Sequence, residues 1–276
     1  MYPELLHLGP VTIYSYGLML GVAFLVSNLL ITRELRRLGQ DPTLATTVTM
    51  FALVGGVAGA KLFHLLENWS EFLANPGHML LSSGGLTWYG GFLLATLLIF
   101  LYFRRRKLSL MAFADVAAPS LALGYGFGRV GCQLAGDGDY GIPSHAPWAM
   151  TYPNGTVSTL ASQNPGLAQQ YADLFPGQPV PADIPVHPAP VYEIILAVAL
   201  FSLLQTRRKK PLPVGSQFGL FLVLHGLCRF GVEFIRLNPL LVLGLSQAQL
   251  ISLALVAWGA FLLFKNAPVA TPKARA

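Results

Sequence analysis

The stretch HGLCRFGVEFIRLNP, residues 225–239, spaces His225, Arg229, Glu233 and Arg236 by four, four and three positions. On a helix that spacing sets all four on one face. The flanking residues are apolar, and an ionised side chain in such a setting needs a partner or a water-filled interior. A guanidinium is planar and forked, so it can grip a carboxylate or a phosphate through two parallel N–H groups. A further arginine, Arg129, stands in GRVGCQLAGDGDYG (128–141), where five glycines, Cys132, Asp137 and Asp139 accompany it at the end of an oily run. An Arg–Glu–Arg stripe on its own fits internal pairing as well as it fits a binding site. One glutamate cannot neutralise Arg129, Arg229 and Arg236 together, however, so the reading here is that the group keeps positive charge for an anion.

The elements that must position these residues are membrane helices. Of 276 residues 54% are hydrophobic and 11% charged, against roughly 25% charged in an ordinary soluble domain, and mean hydropathy is +0.56. Apolar runs of about 20 residues, the length that crosses the hydrocarbon core, place seven helices at 11–32, 45–66, 86–103, 111–134, 189–206, 214–235 and 247–264. The first run is too long for the core of a cleaved leader and has no basic segment before it, so it reads as a retained span. The fold class is therefore an all-α polytopic membrane protein: four helices in 1–134, a small external head in 135–188, three more helices in 189–264 and a cytoplasmic tail at 265–276. The head, rich in Pro, Gly, Asn, Ser and Gln, reads as turns and short strands, and the tail as disordered.

Charge sets the orientation. Of the eighteen Lys and Arg residues, fourteen follow helices 1, 3, 5 and 7: Arg33, Arg36, Arg37; Arg104, Arg105, Arg106, Lys107; Arg207, Arg208, Lys209, Lys210; and Lys265, Lys273, Arg275. Segments 1–10, 67–85, 135–188 and 237–246 hold none. The positive-inside rule then puts the amino terminus outside and the carboxyl terminus in the cytoplasm. The same distribution accounts for the net charge of +6 without a nucleic-acid partner. The four remaining cations, Lys61, Arg129, Arg229 and Arg236, fall near the external ends of helices 2, 4 and 6. Tyr16, Tyr89 and Glu193 fall at the same depth on helices 1, 3 and 5. An anion met at that depth is a phospholipid head group.

SYGLM (15–19), GGLTWYGG (84–91), the arginine and glycine segment at 128–141, HPAPVYE (187–193) and RFGVEFIR (229–236) follow one another in an order that resembles the prolipoprotein diacylglyceryl transferase family. The resemblance covers about residues 10–264. It implies transfer of the diacylglyceryl group of phosphatidylglycerol to the lipobox cysteine thiol of lipoprotein precursors, with release of glycerol-1-phosphate, formation of a thioether, no cofactor and no metal, in the bacterial cytoplasmic (inner) membrane. Carried over by motif position, Arg129 and Arg229 hold the phosphate, Glu233 orients Arg229, and Arg236 and Tyr16 join the substrate pocket. Gly128, Gly131 and Gly136 let backbone approach the substrate. Family members often carry histidine where Tyr89 stands, asparagine where Cys132 stands, and glutamate in the stretch holding Asp137 and Asp139. A free thiol is mostly protonated at neutral pH. Tyr89, Asp137, Asp139 or an electropositive surrounding are the alternatives for activating it.

Other reactive types carry plainer readings. Cys132 and Cys228 lack disulfide or metal-ligand spacing and read as small buried groups. His64 reads as a packing residue, His78 as a loop histidine, His187 as shaping the head of helix 5, and Asp115 as an ion-pair or helix-start residue. Two competing functions remain on sequence alone: an anion transporter lined by the same arginines, and a non-catalytic phospholipid-binding membrane protein. Against transport, the inner halves of the helices are oily apart from Asp115.

Overall fold

Backbone N–H and C=O groups have no water to bond with in lipid, so an apolar run satisfies them internally by coiling. Helices accordingly dominate the computed structural model, which describes residues 1–9, 11–81, 87–209 and 212–265. In chain order it contains β1 (Glu4–Leu8), β2 (Val11–Tyr14), α1 (Ser15–Arg37), α2 (Thr43–Glu67), α3 (Trp69–Ala74), α4 (Pro76–Leu81) and α5 (Trp88–Arg106). Then follow α6 (Leu110–Ala135), α7 (Pro165–Leu174), α8 (Ala189–Arg207), α9 (Ser216–Glu233), β3 (Leu240–Val242), β4 (Leu245–Ser246) and α10 (Gln247–Lys265). Five of these, α1, α2, α6, α8 and α10, are long and apolar enough to cross a membrane. The other two expected spans, α5 and α9, are helices of 19 and 18 residues that carry Arg104–Arg106 and Arg229 with Glu233 respectively.

The chain divides into two units, Met1–Ser27 with Ala117–Ala276, and Asn28–Val116. In the first, α9 packs on both α8 and α10. Gly219 and Gly259 let α9 and α10 close up: a Cβ on Gly259 would come within 2.6 Å of the Gly219 carbonyl oxygen. Residues 136–188 wrap around Tyr140, Tyr152, Leu167, Tyr171, Ile184 and Val186, all buried. Within this segment the Asn164 side chain caps α7 by accepting from the Leu167 N–H at 3.1 Å, the usual service of an N-cap asparagine. The amino end is pinned by the Tyr2 N–H donating to the Leu134 carbonyl at 2.8 Å. In the second unit, α2 lies on α5 through Gly55 against Ala95, Gly56 against Gly91 and Gly59 against Gly90, small residues that allow apolar helices to approach closely.

The structure departs from the sequence reading at several places. Residues 11–14 are not the start of the first helix: they form β2, antiparallel to β1 with Leu6 opposite Ile13 and His7 opposite Thr12. The β-branched and aromatic content of Val-Thr-Ile-Tyr favours extended pairing, and the helix begins at Ser15. The expected connection 67–85 contains α3 and α4, so His78 lies in a helical turn and not a loop. The head has a ten-residue helix, α7, and only isolated bridges in place of strands. Helix α9 stops at Glu233, and Arg236 lies beyond a turn in a bridge with Gly141. The expected disordered tail from residue 266, Lys210 of the basic run and residues 84–86 of GGLTWYGG lie outside the described residues.

Candidate functional site

Arg129 sits one and a half turns from the carboxyl end of α6, Glu193 in the first turns of α8, and Arg229 and Glu233 in the last turns of α9. The turn after α9 brings Arg236 back toward Glu233, while the bridge between Gly141 and Arg236 holds the loop that carries Asp139. Three guanidiniums and three carboxylates thereby meet. Arg129 Nε lies 3.0 Å from Glu193 Oε2, and Arg129 also pairs with Asp139. Arg229 Nη1 lies 2.6 Å from Glu233 Oε2 and 3.6 Å from Glu193 Oε1. Arg236 pairs with Asp139 and reaches Glu193 Oε2 at 3.4 Å and Glu233 Oε2 at 3.8 Å.

This corrects the expectation of surplus positive charge. Asp139 and Glu193 join Glu233, so three anions face three cations, and the balance is what makes burial tolerable. An unpaired charge in a low-dielectric setting costs several kcal/mol, whereas alternating pairs largely repay that penalty. The members are not equally committed. The Glu193 side chain is 2% exposed and that of Glu233 1%, but that of Asp139 is 30% exposed. Asp139 is therefore the most accessible carboxylate of the ring, and it bridges Arg129 to Arg236.

Neighbouring groups fix the ring. The Tyr125 hydroxyl donates to Glu193 Oε1 at 2.5 Å, and its ring lies 5.0 Å from the Arg129 guanidinium carbon. Asn238 Nδ2 and Ser246 Oγ both donate to Glu233 Oε1, each at 2.6 Å. The Ser246 N–H in turn donates to Gln249 Oε1 at 3.0 Å. His225 takes no part in the ion pairs and packs between Tyr125 and Phe221, ring centroids 4.8 and 5.3 Å away. A void of about 10 Å³ lies under the ring, walled by Glu193 and Arg229 on its polar side and Leu196 and Leu200 on its apolar side. That volume suits one water at most.

At the head of the loop, Asp137 accepts from the Asp139 N–H at 3.3 Å, with its carboxylate near the Cys132 sulfur. Burial pushes the Asp137 carboxyl above its usual range. Burial acts on Asp139 in the same direction, but Arg236 and Arg129 outweigh it and hold that carboxyl below its usual range. Cys132 is buried, as the sequence reading expects, and Arg129 Nη1 lies 3.6 Å from its sulfur. Ligand atoms of Cys132, Asp137 and Asp139 lie within 4.8 Å of one another. Two guanidiniums already engage Asp139, and their charge opposes a cation there.

The remaining expected site residues separate by position. Tyr16 is 45% exposed and lies over Gly131, where a Cβ would come within 3.1 Å of the Tyr16 ring. Gly131 therefore closes a helix contact. Gly136 has φ +58 and backs onto Gly155, whose Cα would be 2.7 Å from an added Cβ, so its need is also internal. Gly128 alone of the three faces open space. Tyr89 and Lys61 belong to the second unit, with Tyr89 in the first turn of α5. Sequence reasoning missed Tyr125, Asn238, Ser246 and Gln249. Tyr125 had a signal, standing four residues before Arg129 on the same helix face.

The family model described as prolipoprotein diacylglyceryl transferase matches residues 3–265. The chain is 33% identical to the phosphatidylglycerol–prolipoprotein diacylglyceryl transferase of Burkholderia ambifaria, over 97% of this chain and 96% of that protein. It is 33% identical to the protein of that name from Dehalococcoides mccartyi, over 92% and 90%. A third such protein, from Leptospira interrogans, is 28% identical over 91% and 88%.

Proposed function

The chain belongs to the prolipoprotein diacylglyceryl transferase family, and on that premise we propose that it moves the diacylglyceryl group of phosphatidylglycerol onto the cysteine thiol of a lipoprotein precursor. The cysteine sulfur attacks the glyceryl carbon that bears the phosphate oxygen, a C–S bond forms, and the C–O bond breaks. Glycerol-1-phosphate leaves with the electron pair, and the thiol proton passes to a base. The observation that carries the reading is the Asp139 carboxylate held between Arg129 and Arg236. Two forks converging on one partly exposed carboxylate form a seat of the kind a phosphate would occupy. In this reading the phosphoglycerol displaces Asp139 and gathers the negative charge that grows on the leaving group onto Arg129, Arg229 and Arg236. Stabilisation of developing charge by preoriented donors is the largest contribution in many enzymes.

The other roles follow from contacts. Glu233, itself held by Asn238 and Ser246, orients Arg229. Asp137 is the base, since a carboxyl whose affinity for protons is raised by burial is better matched to a thiol proton. Gly128 and Tyr16 line the approach of the head group, and Gly131 and Gly136 shape it from behind. Tyr89 is retained as a second candidate for thiol activation. The chain is a multi-pass protein of the bacterial inner membrane in which α5 and α9 complete seven spans, with residues 135–188 outside as the head and the basic connections in the cytoplasm. The test is incubation of the purified protein with phosphatidylglycerol and a lipobox peptide. We expect a diacylglyceryl mass gain on the peptide cysteine together with equimolar glycerol-1-phosphate. Protein that binds phosphatidylglycerol yet gives neither product would overturn the reading.

A further inference from the structure

A second cavity, lined by none of the residues of the ion-pair ring, is built within the second unit. It has about 500 Å³, inside the roughly 300–1,000 Å³ range of ligand sites. Two connections build it, one between α1 and α2 and one between α5 and α6. Phe103 and Phe113, ring centroids 5.1 Å apart, are buried and form an apolar floor, with Leu44 and Tyr102 partly buried beside them. Asp41 and Arg106 stand exposed at the mouth. Arg106 lies 5.9 Å over the Tyr102 ring. That contact uses the face of the guanidinium and leaves its in-plane N–H groups suited to an oxyanion. The Asp41 carboxylate accepts from the Thr43 N–H at 2.9 Å and from its hydroxyl, so it serves the start of α2.

Charge selects the occupant. Around these two connections stand Arg33, Arg36, Arg37, Arg104, Arg105, Arg106 and Lys107, against Glu34, Asp41 and Asp115. A cavity with an aromatic floor and a basic mouth, placed where candidate spans α2 and α6 begin, is amphiphilic in the order a lipid is: tail inward, anion at the rim. Juxtamembrane basic clusters attract anionic lipids.

We propose that this pocket holds an anionic phospholipid of the adjoining leaflet, its phosphodiester on Arg106 and one acyl chain over Phe103 and Phe113. The site shares no residue with the proposed substrate seat and does not depend on the transfer reading.

The test uses the full chain in detergent with photoactivatable phosphatidylglycerol, and photoactivatable phosphatidylcholine in parallel, adducts being mapped by peptide mass. Phosphatidylglycerol adducts are expected on residues 40–44 and 102–113 well above those of phosphatidylcholine. Arg106→Gln, an exposed and structurally mild change, should lower them about fivefold, the scale of one lost basic contact near a membrane surface. Ala112→Trp, which fills the cavity from its wall, should abolish them. Transfer to a lipobox peptide, read in the same samples, should be unchanged in both variants, which separates failure at this pocket from failure of the catalytic reading. Equal labelling by the two lipids, labelling that survives Ala112→Trp, or protection of the pocket by a second copy or a co-purified polypeptide would each overturn the proposal.

Discussion

Asp139→Asn tests whether the ring is a preformed seat for phosphate. The amide keeps the size of the carboxylate and one acceptor oxygen, but it removes the charge that faces Arg129 and Arg236 and turns an NH₂ toward one of them. Breaking a buried ion pair from one side costs about 3–5 kcal/mol. Here the side chain is 30% exposed, so water screens part of the interaction and the amide oxygen keeps part of the hydrogen bonding; about 1–3 kcal/mol is expected. The same free energy read from the ligand side is the cost a phosphate meets in displacing Asp139. Removing it should tighten binding of glycerol-1-phosphate or of the phosphatidylglycerol head group by about tenfold, or 1.4 kcal/mol. The assay is the thermal midpoint with and without glycerol-1-phosphate. The variant should start lower and gain more from the ligand, by the mass-action relation between binding and stability. The sign with pH is fixed as well. Asp139 has a folded-state pKa held below its usual value by Arg236 and Arg129, so its contribution is fully present above about pH 3.9, the ordinary value. It disappears as pH falls through the lower folded value, and the gap between variant and parent should close there. If stability and ligand affinity fall together in the variant, Asp139 is a structural strut and the displacement argument fails.

Four further outcomes are expected. Arg129→Lys and Arg229→Lys should each lower turnover by about tenfold or more despite conserved charge, because an ammonium cannot reproduce a two-pronged contact; Arg208→Lys should be silent, and parental rates in the first two would remove bidentate phosphate binding from the mechanism. Asp137→Asn should abolish the rise of kcat with pH on the acid side, since a base of raised pKa must first lose its proton; a profile identical to the parent would leave Asp137 a structural residue. Ser246→Ala should remove one of the two donors to Glu233 Oε1, costing about 1 kcal/mol of stability and raising KM for phosphatidylglycerol, with Ser246→Thr restoring KM; a loss of stability with no change in KM would detach Ser246 from the site. For the topology, Leu160→Cys should label from outside intact cells and Arg208→Cys only after permeabilisation, and the reverse pattern would invert the arrangement.

Much of this arrangement is legible in the chain because its signals are periodic. Apolar runs of about 20 residues announce helices, and Arg229 with Glu233 pair across one turn as the spacing of four requires. Loops carry no period, and there the sequence is silent. Asp139 sits ten residues beyond Arg129 in a glycine-rich loop, and nothing in the spacing says that it folds back between Arg129 and Arg236. The charge balance of the ring was hidden for that reason. The β1–β2 hairpin was hidden by continuity, since Val11–Tyr14 runs without a break into the apolar helix that follows. Asn238, Ser246 and Gln249 are ordinary polar residues in and after a connection: Asn238 reaches Glu233 from the turn that follows α9, and Ser246, held by Gln249, reaches it only because the β3–β4 hairpin brings the chain back.

The two donors on Glu233 Oε1, with Arg229 and Arg236 on Oε2, bear on how substitutions at this residue are to be interpreted. A carboxylate has lone pairs at both tips and no hydrogen. Glutamine has nearly the same outline, but one of its tips is an NH₂ group. Turned one way, that NH₂ confronts the Asn238 amide and the Ser246 hydroxyl; turned the other, it confronts two guanidiniums. The second orientation sets donor against donor inside a buried site, and the first is accepted only if the Ser246 hydroxyl rotates and the Asn238 amide flips to present their oxygens. Glu233→Gln therefore does not isolate the loss of a charge, because it also forces either a donor clash with two guanidiniums or a rearrangement of Asn238 and Ser246. A shorter acid, Glu233→Asp, keeps acceptors at both tips and changes only reach, which makes it the cleaner probe of what this residue contributes.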